Sequence, residues 1–139
     1  MGNEYELLQF DVNPVPASRP RVTRWSTYYP KKYTQFKLDM IALTSEMHFA
    51  PFEGLLAVDI GFYIGMPKSW SKKKKELKDG RYCDNNADVD NYLKAILDSL
   101  NEVVYVDDRQ IVEISARKIY SSTPCIKFKY KTIGDEDGN

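Results

Sequence analysis

Asp88, Asp90, Lys94, Asp107 and Asp108 are the residues whose types and spacing could do chemistry. Asp88 and Asp90 stand one residue apart where a helical pattern begins. A backbone not yet fully helical lets both carboxylates aim at one point. A hard cation such as Mg²⁺ takes one or two direct carboxylates and fills its other octahedral positions with water or phosphate. Lys94 lies four residues beyond Asp90, one turn along the same face. A compact ammonium there could stabilise non-bridging phosphate oxygens or position a water. Each residue also has an ordinary structural use. Asp88 and Asp90 suit helix N-capping and macrodipole compensation, Lys94 suits pairing with Asp90 or Asp98, and the Asp107-Asp108 pair suits a turn. A calcium loop starting at Asp84 fails at both decisive places: Val89 stands where the turn glycine belongs and Ala95 where the bidentate Glu belongs.

The charge pattern gives these residues a setting. Net charge is zero, from 20 basic and 20 acidic residues, but the signs are segregated. Residues 13–38 hold six basic residues (Arg19, Arg21, Arg24, Lys31, Lys32, Lys37) and no acidic one. Residues 68–81 hold seven basic and two acidic residues, including the run Lys72, Lys73, Lys74 and Lys75. Residues 84–108 invert to seven acidic against Lys94 alone, and 109–131 return to six basic against one acidic. Such runs are commonly solvated faces. An acidic island between basic flanks also suits a polyanion held around a metal centre, and Trp25, Tyr28, Tyr29, Tyr33 and Phe36 interleave with the first basic block.

Other chemistries are excluded by composition. The single histidine, His48, rules out multi-His zinc sites within one chain. Cys83 and Cys125 form no CxxC, and no GxGxxG, GxxxxGK[ST] or GxSxG occurs, so no nucleotide cofactor is expected. The N-terminus carries Glu4 and Glu6 where a signal peptide has a basic start, and the apolar stretch 55–66 is broken by Asp59. With two cysteines read as free thiols, the expected location is cytoplasmic, with no membrane partner.

The elements that must position the candidate residues follow from periodicity. Residues 5–12 read as a strand and 13–29 as an extended, proline-containing loop. A helix starting at Pro30 runs to about His48, with Tyr33, Phe36, Met40, Leu43 and Met47 on one face. Residues 55–66 alternate as a half-buried strand, 69–80 form a short helix or a mobile basic loop, and 81–87 a flexible connection. Residues 89–100 form the clearest helix, with Val89, Tyr92, Leu93, Ile96, Leu97 and Leu100 in one stripe. Strands are expected at 103–106, 110–120 and 125–132. This order predicts an α+β fold, a single domain over 1–132 with a mixed β-sheet flanked by helices, and an acidic frayed tail over 133–139.

Residues 87–114, ADVDNYLKAILDSLNEVVYVDDRQIVEI, resemble the RusA-type Holliday junction resolvases, with a DxDN-xx-K…D…DD pattern. Pro14-Val15-Pro16 followed by Arg19-Pro20-Arg21 is similar to the family's N-terminal segment, and the likeness extends over about 5–131. The resemblance implies a homodimeric, Mg²⁺-dependent endodeoxyribonuclease, with Mn²⁺ able to substitute, that binds branched DNA and cuts four-way junctions by paired, symmetric nicks in recombination and repair. It carries catalytic roles to Asp88, Asp90, Lys94 and Asp108, metal ligation to Asp88, Asp90 and Asp108, and a supporting role to Asp107. DNA contacts are expected from Arg19, Arg21, Arg24, Lys31, Lys32 and Lys72 to Lys75. The competing readings are a non-catalytic DNA-binding protein with a structural acidic island, and a nuclease for flaps or forks.

Overall fold

The computed structural model describes residues 4–28, 30–48 and 50–134. The chain runs β1 (Glu6–Phe10), β2 (Arg21–Val22), β3 (Thr27–Tyr28), α1 (Lys31–Thr44), β4 (Leu56–Gly65), α2 (Lys72–Lys78), α3 (Val89–Leu100), a 3₁₀ turn (Asp108–Gln110), β5 (Ile111–Ser121) and β6 (Cys125–Thr132). The main sheet has the order β1-β6-β4-β5, with β4 and β5 parallel and the other pairs antiparallel. It is therefore the single-domain α+β arrangement with a mixed sheet. A parallel pair needs a crossover connection, and the β4-to-β5 crossover carries α2 and α3. Among the described residues no helix is long and apolar enough to cross a membrane.

The core lies between the sheet and the two longer helices. Val58, Ile60 and Phe62 of β4 and Ile126 and Phe128 of β6 are fully buried with Phe36 and Met40 of α1 and Ile96 and Leu100 of α3. The α3 stripe forms as expected, except that Val89 at the first turn is exposed and Ala95 joins the buried set. Pro30 stands at the N-cap of α1. That helix ends at Thr44 rather than near His48: Ser45 N–H closes its last turn onto the Ile41 carbonyl, and Met47 N–H bonds the Thr44 carbonyl in a tighter turn.

Four local expectations are corrected. Strand β4 is not half-buried: Ala57 and Gly61 on its second face are also buried, since β4 lies between β6 and β5. The Tyr63 ring lies across Gly61, where a Cβ would come within 2.8 Å of it, and Asp59 pairs with Arg117 at 2.6 Å. Residues 103–106 form no sheet strand. They make a turn in which Val104 and Tyr105 are buried, joined by single bridges to Phe52 and Asn101. The loop 13–29 contains the β2–β3 hairpin. Residues 81–87 are a tied segment, since Cys83 N–H donates to the Lys118 carbonyl at 2.9 Å and Tyr82 bridges to Ile119. Residues 72–78 take the helical alternative, with the Ser71 hydroxyl capping at 3.1 Å and Gly80 leaving at φ +84°. Cys83 and Cys125 are buried free thiols. Beyond β6, Ile133 N–H donates to the Leu55 carbonyl at 3.0 Å, and residues 135–139 of the expected tail lie outside the described residues.

Candidate active site

Asp88 is the N-cap of α3 by backbone geometry (φ −78°, ψ 147°), yet its side chain makes no capping hydrogen bond. The exposed carboxylate is thus not spent on its own helix. The residues before it are anchored to β5 from below. Lys118 Nζ donates to Asn85 Oδ1 at 2.8 Å and to the Ala87 carbonyl at 2.5 Å. Asn85 in turn donates to the Tyr92 hydroxyl at 2.9 Å, and the Tyr120 hydroxyl donates to Asp84 at 3.0 Å. That Tyr120 bond holds the Asp84 carboxyl below its ordinary value. Asp90 follows in the first turn of α3, exposed to solvent.

Lys94 pairs with Asp98, not Asp90, at 3.1 Å, with both side chains largely exposed. Asp98 raises the proton affinity of the ammonium, with smaller contributions from Tyr33 and Asp108. Asp108 is pushed above the ordinary carboxylate value by partial burial, then by Asp107 and Asp98, while Lys94 acts in the opposite direction. Asp107 has a structural duty. It accepts from Arg109 N–H at 2.9 Å, and its own N–H donates to Gln110 Oε1 at 2.8 Å, completing a capping box on the 3₁₀ turn. Gln110 fixes that turn to the chain before β4 through the Phe52 and Gly54 carbonyls.

Lys94, Asp98 and Asp108 therefore share one electrostatic environment, while Asp88 and Asp90 stand at the N-terminal end of α3. Asp108 is drawn toward the helix C-terminus because its N–H donates to Asn101 Oδ1 at 3.1 Å. Among the described residues no three His, Cys, Asp or Glu side chains are grouped closely enough to hold a metal ion. Asp88, Asp90 and Asp108, expected from sequence to converge, are not grouped in this way without an ion present. In kind, the donors still fit a hard cation. They are exposed carboxylates, Asp88 is uncommitted, and Asp108 sits in a crowd of negative charge that a cation would relieve.

The basic candidates fall into separate groups. Ala17 N–H donates to the Asn91 carbonyl at 2.9 Å, which seats the proline segment on the first turn of α3, and Arg19, Arg21 and Arg24 follow it, all exposed. Lys31 and Lys32 open α1, also exposed. Lys72, Lys73 and Lys74 are exposed on α2, Lys75 is half-buried, and Lys74 lies 4.3 Å above the Trp70 ring. Sequence reasoning left Asp98 as one of two partners for Lys94 and missed Lys118. Asp98 was signalled only by its i,i+4 spacing from Lys94, an ambiguity shared with Asp90. The Lys118 anchor had no signal, since nothing in a strand's alternation reports a bond to a loop 33 residues earlier.

An α+β domain whose crossover helix exposes carboxylates and a lysine, with an arginine-bearing segment seated on its first turn, is of a class suited to a phosphate-rich ligand. The chain belongs to the family described as Endodeoxyribonuclease RusA, which matches residues 11–129 and so takes in every candidate residue. It is also similar to "Uncharacterized protein YqaN" of Bacillus subtilis (strain 168), with 33% identity over 140 residues covering 92% of this chain and 98% of that protein.

Proposed function

We propose that this protein is a Mg²⁺-dependent endodeoxyribonuclease that resolves four-way DNA junctions by paired, symmetric nicks, acting as a homodimer in recombination and repair. The observation that carries the reading is the exposed Asp88–Asp90–Lys94 face of α3 in a chain of the RusA endodeoxyribonuclease family. Asp88, Asp90 and Asp108 would hold the metal once its charge draws them together, with Asp107 in support. When bound, Mg²⁺ supplies a water of lowered pKa and neutralises charge on the phosphorane and leaving oxygen. Two or fewer direct carboxylates suffice for this ion, and a substrate phosphate can complete its shell.

Lys94 brings its cation to the non-bridging oxygens by exchanging Asp98 for phosphate. The exchange is inexpensive, because exposed pairs of this kind are worth about 0–1 kcal/mol. Lys118 keeps Asp88 at the mouth of the site by fixing the preceding carbonyls. A junction offers two equivalent strands to nick, which a twofold dimer matches with two sites.

The test is incubation with a mobile four-way junction, a linear duplex and a flap, each in Mg²⁺, in Mn²⁺ and in EDTA. Paired nicks in the junction that need metal, absent from Asp88→Asn and Asp90→Asn variants that still bind DNA, are the expected result. No cleavage of any substrate with either metal sinks the proposal. Preferential cutting of the flap would replace the junction with another branch.

A further inference from the structure

The β2–β3 hairpin is a shaped feature that holds apolar side chains out to solvent. Arg21 pairs with Tyr28 and Val22 with Thr27. The tip is closed by Thr23, whose N–H donates to the Ser26 carbonyl at 2.7 Å. The Thr23 hydroxyl oxygen accepts from the backbone N–H groups of Trp25 at 3.2 Å and Ser26 at 2.9 Å. This ties the turn so that Trp25 points outward. Trp25 is 85% exposed and Val22 76%, with Tyr28 also exposed. The Arg24 guanidinium lies 5.4 Å from the Trp25 ring centre. Two-stranded hairpins are marginal alone, and large exposed aromatics at an ordered tip mark a surface that something covers.

The charge around the tip identifies what covers it. Arg19, Arg21 and Arg24 are exposed here, and residues 13–38 contain no carboxylate. A polyanion is favoured. A purely electrostatic contact with backbone phosphates would use the arginines and leave the indole idle. Aromatic faces beside basic groups are the arrangement that stacks unpaired bases. The Ala17–Asn91 bond roots this segment on the first turn of α3, beside Asp88 and Asp90.

We propose that the hairpin is a wedge for the branch point, with Trp25 stacking on an unstacked base while Arg21 and Arg24 hold the flanking phosphates. The inference rests on branched DNA being the substrate, and it assigns recognition of the branch to a part of the chain outside the carboxylate face.

The experiment uses the full chain in EDTA, so that binding is read without cleavage. Wild type, Trp25→Ala and Trp25→Phe, each checked for native circular dichroism, are titrated into a four-way junction and a linear duplex of the same sequence. Trp25→Ala is expected to lose about tenfold in junction affinity and less than about twofold on duplex, with Trp25→Phe keeping most of the binding. A 2-aminopurine placed at the branch should lose emission on binding wild type but not Trp25→Ala. Unchanged junction affinity in Trp25→Ala, or an equal loss on junction and duplex, overturns the wedge. A change in sedimentation of Trp25→Ala without DNA also overturns it, assigning the surface to a second copy. Failure of wild type to cut in Mg²⁺ while these binding differences hold would remove the nuclease reading and leave the wedge.

Discussion

Lys94 is bonded to a carboxylate that is itself exposed, so its ammonium is oriented without being buried. Lys94→Ala is therefore expected to fold normally while activity falls by a factor on the order of 10²–10³, the size expected for a lost transition-state charge contact. Junction cleavage by a folded Lys94→Ala at near wild-type rate would remove that role. Asp84 gives a pH signature. The Tyr120 hydroxyl lowers its carboxyl below the ordinary 3.8, so the native state binds a proton less readily than the unfolded chain. The resulting stabilisation is complete above that ordinary value and lost as pH falls through the lowered one. Tyr120→Phe should be less stable than wild type at neutral pH, with part of the difference vanishing in acid. Parallel stability curves across the acid range would show that the bond contributes nothing. At this scale the sequence made residue types and spacing legible, because DxD and the lysine four residues on lie on one helix. It could not place Asp108, whose position depends on the turn Asn101 anchors.

Helix α3 was legible almost to the residue, since six apolar positions at three- and four-residue intervals leave one way to bury them, and only Val89 stays exposed. The run Val103 to Val106 misled for the same physical reason. Its apolar residues are buried, but they plug the end of α3 in a turn, and a four-residue run carries no period to separate the two. The two-sided burial of β4 was hidden because Asp59 and Tyr63 look outward in sequence, and their partners Arg117 and Lys127 come from neighbouring strands. Ile96→Ala should cost about 2–5 kcal/mol by leaving a cavity under α3, measured by denaturant unfolding. Lys118→Met, which keeps length and removes the donor, should leave the sheet intact and weaken Mg²⁺ affinity by loosening Asp88. Unaltered metal affinity by calorimetry would confine Lys118 to structure. Replacing Arg19 and Arg21 with Ala should weaken binding to all sequences alike and flatten the salt slope by about one unit per lost phosphate contact.

For the whole molecule, one chain carries Asp88, Asp90 and Lys94 on or at one helix and Asp108 on the turn after it, so each half of the proposed dimer would hold a site of its own. Wild-type protein mixed with excess Asp90→Asn subunits should then give mixed dimers that nick a single strand, seen as nicked junctions on denaturing gels. Full two-strand resolution by such mixtures would show that the sites do not act as a pair. The strand order has a separate consequence for how the protein comes into being. The last strand in the chain, β6, lies between β1 and β4, and its register ties Glu6 to Tyr130 and Val58 to Tyr130 on its two sides. During synthesis β1 has no neighbour to pair with, and β4 lacks one of its two, until Cys125 to Thr132 have left the ribosome. The arginine segment and α3 emerge long before the sheet that fixes them can close. The α3 face that carries the candidate residues thus gains its complete sheet support only after β6 has been made.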